Sequence, residues 1–104
     1  MASIIWSERA ATDLEEIYDY ILQDSAIYAR YQAERILQAI ERLAIFPESG
    51  RPLPEFPYVP HRDLLVGHYR VIYRVDSQRE AVHIVTILHG SRLLPESAVH
   101  NDQA

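Results

Sequence analysis

The chain has 104 residues, the size of one domain, with 48% hydrophobic residues and no cysteine. Disorder is not the default for that composition, and the missing cysteine excludes a disulfide scaffold, a thiolate zinc centre and a cysteine nucleophile. Net charge is −5, and it is unevenly placed. Residues 1–50 carry four Arg against nine Asp and Glu; residues 51–104 carry six Arg against six acids, and all five His.

Every basic residue other than His is Arg, whose planar fork suits phosphate and carboxylate better than an ammonium does. Met1 to Glu8 lack a basic region followed by a long apolar one, so a signal peptide is not expected. No apolar run approaches the roughly 20 residues of a membrane span, and the expected setting is the cytoplasm, away from membranes.

Residues 3–6 predict a short strand of β-branched and aromatic residues. Ser7 is a good N-cap and Glu8 favours the first turn of a helix. Ala10, Leu14, Ile17, Tyr18, Ile21 and Leu22 recur at helical spacing up to about Gln23. Asp13, Glu15, Glu16 and Asp19 read mostly as the opposite, solvated face. Asp24 or Ser25 restarts a second helix running to about Phe46, with Ala29, Ala33, Ile36, Leu37, Ile40, Leu43 and Ala44 as its stripe. Pro47 and Gly50 stop it. Two amphipathic helices with a tight break between them predict an antiparallel hairpin.

Residues 47–61 hold five of the six prolines, which keep this segment out of regular structure. Leu53, Phe56, Tyr58 and Val59 can still pack, so an ordered loop is expected. The period then becomes two. Residues 62–67 form a strand, Gly67 and His68 a turn, and residues 69–75 a second strand with Arg70 and Arg74 on one face. A hairpin loop at 76–79 leads to residues 81–89, a nearly continuous apolar strand expected at the centre of a sheet. The expected fold class is α+β in the order β-α-α-β-β-β, a helical hairpin packed on a mostly antiparallel sheet. One domain spans 1–95, and 96–104 reads as a loose C-terminal tail.

Walker, GxSxG, HExxH and Rossmann patterns are absent. His61, His68, His83, His89 and His100 are scattered along the chain, so neither a metal nor a cofactor is expected. Candidate chemistry falls on the arginines and histidines of the second half. Arg70 either grips an anion or pairs with a nearby carboxylate. Arg92 follows the last long strand and can approach the same face. His68 or His89 can move a proton. Arg51 either contributes to the cluster or anchors its loop, and Arg62 and Arg74 complete the cationic set.

Trp6, then Ala10, Ala11, Asp13, Leu14, Ile17, Tyr20 and Ile21 at their spacing, resemble the first helix of the RelE/ParE superfamily of type II toxin–antitoxin toxins. Leu43, Phe46, Pro47, Gly50, Arg51 and Pro52 continue the resemblance. So do Arg62-Asp63-Leu64, the run Tyr69 to Tyr73, and Ile84, Val85, Ile87, His89, Gly90 and Arg92. It covers about residues 4–93. It implies a β-α-α-β-β-β fold, a cognate antitoxin as partner, and assembly as a homodimer or as a heterotetramer with that antitoxin.

Two activities follow from it, and a third reading is a non-toxic interaction module on the same fold. ParE-like members poison DNA gyrase by binding it; RelE-like members cleave mRNA on the ribosome. The ending His89-Gly90-Ser91-Arg92 is similar to ParE-like members, and Leu93-Leu94-Pro95 stands where RelE-like members bring an aromatic residue. In a nuclease, the resemblance implies catalysis by Arg70, His89 and Arg92, with a base among Glu48, Glu55 and His68. Arg51, Arg62, His68 and Arg74 would then hold the substrate or target. The overall negative charge opposes approach to RNA.

Overall fold

A computed structural model describes residues 1–100. Strand β1 (Ser3–Trp6) leads into helix α1 (Glu8–Leu22), and helix α2 (Ala26–Arg42) returns antiparallel to it. Both starts are set by serine caps. The hydroxyl of Ser7 accepts the Ala10 N–H at 2.9 Å, and that of Ser25 accepts the Tyr28 N–H at 3.1 Å. The second helix closes at Arg42, before the expected Phe46, because residues 43–46 tighten into turns whose N–H groups bond back to the carbonyls of residues 40–42.

Four more strands follow: β2 (Arg51–Pro52), β3 (Arg62–Val66), β4 (Tyr69–Asp76) and β5 (Ala81–His89). Their order in the sheet is β1-β5-β4-β3-β2. All neighbours are antiparallel except β1 and β5, which run parallel with Ser3 opposite Ala81 and Trp6 opposite Ile84. The fold is therefore α+β, two helices on a five-stranded mostly antiparallel sheet, as the periodicity implies. β5 is internal, in keeping with its long apolar run. The proline-rich segment supplies one element the sequence does not predict: Arg51 and Pro52 pair with Asp63 and Arg62. Pro52 is tolerated there because β2 is an edge strand with no ladder beyond it.

The core has two layers. Ala10, Ile36 and Ile40 from the helices, with Leu43 just past the end of α2, meet Val66, Val71, Tyr73, Val82, Ile84 and Ile87 from the sheet, and all are buried. On the opposite sheet face Ile72 and Val85 pack against Leu53 from the proline-rich segment and against Leu94 and Val99. Val99 belongs to α3 (Glu96–His100) and is 1% exposed. The sequence expectation of a loose tail from residue 96 therefore fails over 96–100, where burying Val99 and Leu94 on a second apolar sheet face orders the chain; the rest of that tail, 101–104, lies outside the described residues. No helix among the described residues is long and apolar enough to cross a membrane.

Candidate functional site

Strand β4 alternates as expected. Val71 and Tyr73 face the helices, while Arg70 and Ile72 face the other layer. On β5 the alternation slips. Ile72 lies opposite Thr86 but the next residue, Tyr73, lies opposite Ile84, so Val85 is an extra residue in a bulge. Polar side chains of the α1 start take up the exposed backbone. The Ser7 hydroxyl donates to the Val85 carbonyl at 2.7 Å, and Asp13 accepts the Ile87 N–H at 3.0 Å and the Thr86 hydroxyl. Asp13 thus leaves the solvated acidic face to which its spacing assigns it. After the slip, Ile87 faces the helices, and two residues on, the His89 ring lies edge-on to Tyr69 at 5.4 Å.

Arg70 is the centre of an ion-pair network. Its guanidinium donates to Glu55 through both terminal nitrogens, at 2.6 and 2.8 Å, and through Nε to Asp63 at 2.9 Å. Asp63 also accepts from Arg51, at 2.7 Å and 3.3 Å. The Arg70 and Asp63 side chains are 6% and 0% exposed, that of Glu55 20%. Bonding to Arg70 holds the Glu55 carboxyl down at about 2. Bonds to Glu55, and then to Asp63, raise Arg70 against the opposing effect of burial. Glu55 further accepts the Leu94 N–H at 3.3 Å, tying the proline-rich segment to the chain after β5.

Of the two readings the sequence leaves open for Arg70, the carboxylate pairing is the one realised. Arg51 likewise anchors its segment, through Asp63 of β3. Arg62 donates to the Gly50 carbonyl at 2.8 Å and lies 3.9 Å from Glu48. Asp63 has no strong sequence signal. Glu55 stands out only as an acid in the proline-rich segment, so the network depends on a pairing that no local pattern announces.

A shallow cavity of about 510 Å³ lies beside this network, between the β3–β4 turn and the end of β5. Arg51, Glu55 and Arg70 line it together with His68, His89 and Arg92. These last three are exposed. Gly67 occupies the first position of the two-residue turn with φ +60, which the absence of a side chain permits, and it sets His68 beside the strand end. The rings of His68 and His89 are near parallel, 6.1 Å apart. The Ser91 N–H donates to His89 Nδ1 at 3.1 Å, so Nδ1 is the acceptor and Nε2 carries the proton of the neutral ring. Arg74, on the same strand face as Arg70, is half-buried beside His83 of β5, away from this cavity. The structure thus brings Arg51, His68, Arg70, His89 and Arg92 together and leaves Arg62 and Arg74 outside. Among the described residues no group of three or more His, Asp or Glu is placed to hold a metal ion.

Comparison with known proteins bears on the same region. The family described as ParE toxin of type II toxin-antitoxin system, parDE, matches residues 4–94. Toxin RelE2 of Caulobacter vibrioides is 40% identical over 95 residues, covering 89% of this chain and all of that protein. In structure, the chain is similar to a protein of the chromosomal ParDE system of P. aeruginosa, with a TM-score of 0.70 and 24% identity over 86% of this chain and 96% of that one. It is also similar to the isolated E. coli RelE toxin, with a TM-score of 0.62 and 15% identity over 89% and 88% of the two chains. At those identities the two structures speak for the fold alone.

Proposed function

The chain belongs to the ParE toxin family of type II toxin–antitoxin systems, and on that premise we propose that it stops growth by binding DNA gyrase as a protein ligand and is neutralised by a cognate antitoxin. The observation that carries the target is the occupancy of Arg70. Both terminal nitrogens of its guanidinium are engaged by Glu55, and Nε by Asp63. A phosphodiester would have to displace the doubly bonded Glu55 carboxylate to reach those nitrogens. Arg51 and Arg62 are also bonded within the protein. The net charge of −5 weakens any long-range attraction to RNA. His68, His89 and Arg92 add an exposed rim with no carboxylate partner in the cavity, suited to a protein surface.

A cognate antitoxin is supported by two of the solved structures similar to this chain, the RelBE toxin–antitoxin complex of E. coli and the RelBE2 complex of Mycobacterium tuberculosis. The name of the Caulobacter relative, RelE2, favours a second reading, ribosome-dependent cleavage of mRNA. In that reading His89 and Arg92 act at the cavity rim, and Arg70 serves only once Glu55 has moved.

One experiment separates the two. The toxin is induced alone in cells, and in parallel the purified protein is added to a gyrase supercoiling assay. Induction of the DNA-damage response with intact mRNA, together with inhibited supercoiling, is expected. Rapid loss of translation with cleaved mRNA and uninhibited gyrase would overturn the gyrase reading. Restored growth on co-expression of a candidate antitoxin, with binding of the two purified proteins, tests the partner.

A further inference from the structure

The buried stripe of α2 consists of Ala29, Gln32, Ile36 and Ile40. Three of the four are apolar; Gln32, 1% exposed, is the exception. A leucine there would continue the stripe and bury no polar group. The Gln32 amide donates to the Val66 carbonyl at 3.5 Å, the long limit of a hydrogen bond. So long a bond offsets little of the cost of burying an amide, and stability gives no reason for a glutamine at this place. Its location gives one. Val66 is the last residue of β3, and Gly67 and His68 form the turn that follows. That turn lies against α2: a Cβ on Gly67 would stand 3.1 Å from Nη1 of Arg35 and 3.3 Å from Oε1 of Gln32. The Arg35 guanidinium is in turn laid over the Tyr31 ring, 5.6 Å from its centroid. The turn thus has a polar seat on the helix, an amide at the carbonyl that enters it and a stacked guanidinium beside its glycine. On its other side the His68 carbonyl accepts the Gly90 N–H at 2.7 Å. So held, the His68 ring lies near parallel to that of His89, while Tyr69 lies edge-on to His89.

We propose that Gln32 and Arg35 are positioning residues, which fix the β3–β4 turn and so hold His68 in register with His89 at the cavity rim. Both act through the turn. That this rim meets the target rests on the gyrase reading; the seating of the turn does not.

Ring contacts read by NMR on the full chain test the seating. Gln32→Leu removes the amide and keeps an apolar fit. Loss of the nuclear Overhauser contact between the His68 and His89 rings is expected, with the Tyr69–His89 contact retained. A variant that is merely less stable keeps both. A folded Gln32→Leu protein with both contacts intact, or with both gone, would overturn the proposal. Should Gln32→Leu fail to fold, Arg35→Ala, at an exposed side chain, is read in the same way and decides alone. Gyrase inhibition then separates the seating from the target. Gln32→Leu should raise the half-inhibitory concentration by roughly fivefold in the wild-type background and leave it unchanged in a His68→Ala background, as for coupled neighbours that act through one group. Equal effects in the two backgrounds, zero included, mean that Gln32 does not act through His68 and overturn the proposal. If His68→Ala inhibits gyrase as fully as wild type does, the rim reading falls, and the ring contacts alone decide the seating.

Discussion

Asp13 of α1 accepts the backbone N–H of Ile87 at 3.0 Å, across the bulge that Val85 makes in β5. The same carboxylate takes the Thr86 hydroxyl, so one helical acid closes the irregularity of β5. Asp13→Ala leaves an N–H in a buried part of β5 without an acceptor, and a loss of about 1–3 kcal/mol is expected. For a domain of this size each kcal/mol lowers the melting temperature by roughly 4–8 °C. Urea denaturation with an unchanged m-value checks it; a loss within error of zero would mean that water replaces Asp13.

Arg70→Leu should be far more damaging than its size suggests. It strands the Asp63 and Glu55 carboxylates, and breaking a buried pair of this kind costs about 3–5 kcal/mol. Arg51→Ala, at a side chain 51% exposed, should change stability little by comparison. The ranking of the two variants in denaturant is the measurement, and Arg51→Ala as the worse of them would contradict the geometry.

Acid should uncouple the network through Glu55. Its carboxyl is held at about 2 against an ordinary value of 4.5. A folded value below the unfolded one adds stability that is fully present above the unfolded value. It is lost as pH falls from about 4.5 towards about 2. Wild type should therefore lose more stability across that window than Glu55→Gln does. Parallel pH profiles for the two proteins would count against a depressed carboxyl.

The Tyr73 hydroxyl accepts the Gly50 N–H at 2.8 Å beneath the start of β2. Tyr73→Phe should cost about 1 kcal/mol through that bond. Gly50→Ala should cost more, because a Cβ there would lie 2.5 Å from the Asp63 carbonyl and 2.6 Å from the Tyr73 hydroxyl. Thermal melts of both variants give the order directly.

Arg92 is exposed at the cavity rim. Under the proposed function, Arg92→Glu should leave the melting temperature unchanged and raise the concentration needed to inhibit gyrase by about tenfold. Full inhibition by a correctly folded Arg92→Glu protein would move the target surface elsewhere.

How far the sequence foretells all this depends on the distance over which each feature is encoded. Ser7, Ser25 and the Ala10 to Ile21 stripe act within a few residues, and the helices form where those signals fall. The Tyr69–Val75 alternation likewise places Arg70 on the face away from the helices. The bulge at Val85 is hidden because every residue from Ile84 to Leu88 except Thr86 is apolar, so a slip of phase leaves no mark. The α3 helix is missed because Val99 needs a second apolar sheet face, formed by Ile72 and Val85, that local composition does not reveal. Arg70, His89 and Arg92 are legible as candidates. The state of Arg70 is not, since it is fixed by Glu55 from an irregular segment and by Asp63 from the adjoining strand.

The parallel pairing of β1 with β5 sets a timetable. Ser3 finds its neighbour only at Ala81, and Ser7 hydrogen-bonds to Ile84 and Val85. A ribosome that has finished both helices has yet to make the strands they cover. Contacts of such long sequence separation form late. The growing chain therefore carries two helices with bare apolar faces throughout the synthesis of residues 43–80, and the molecule becomes whole only as its last strand is released.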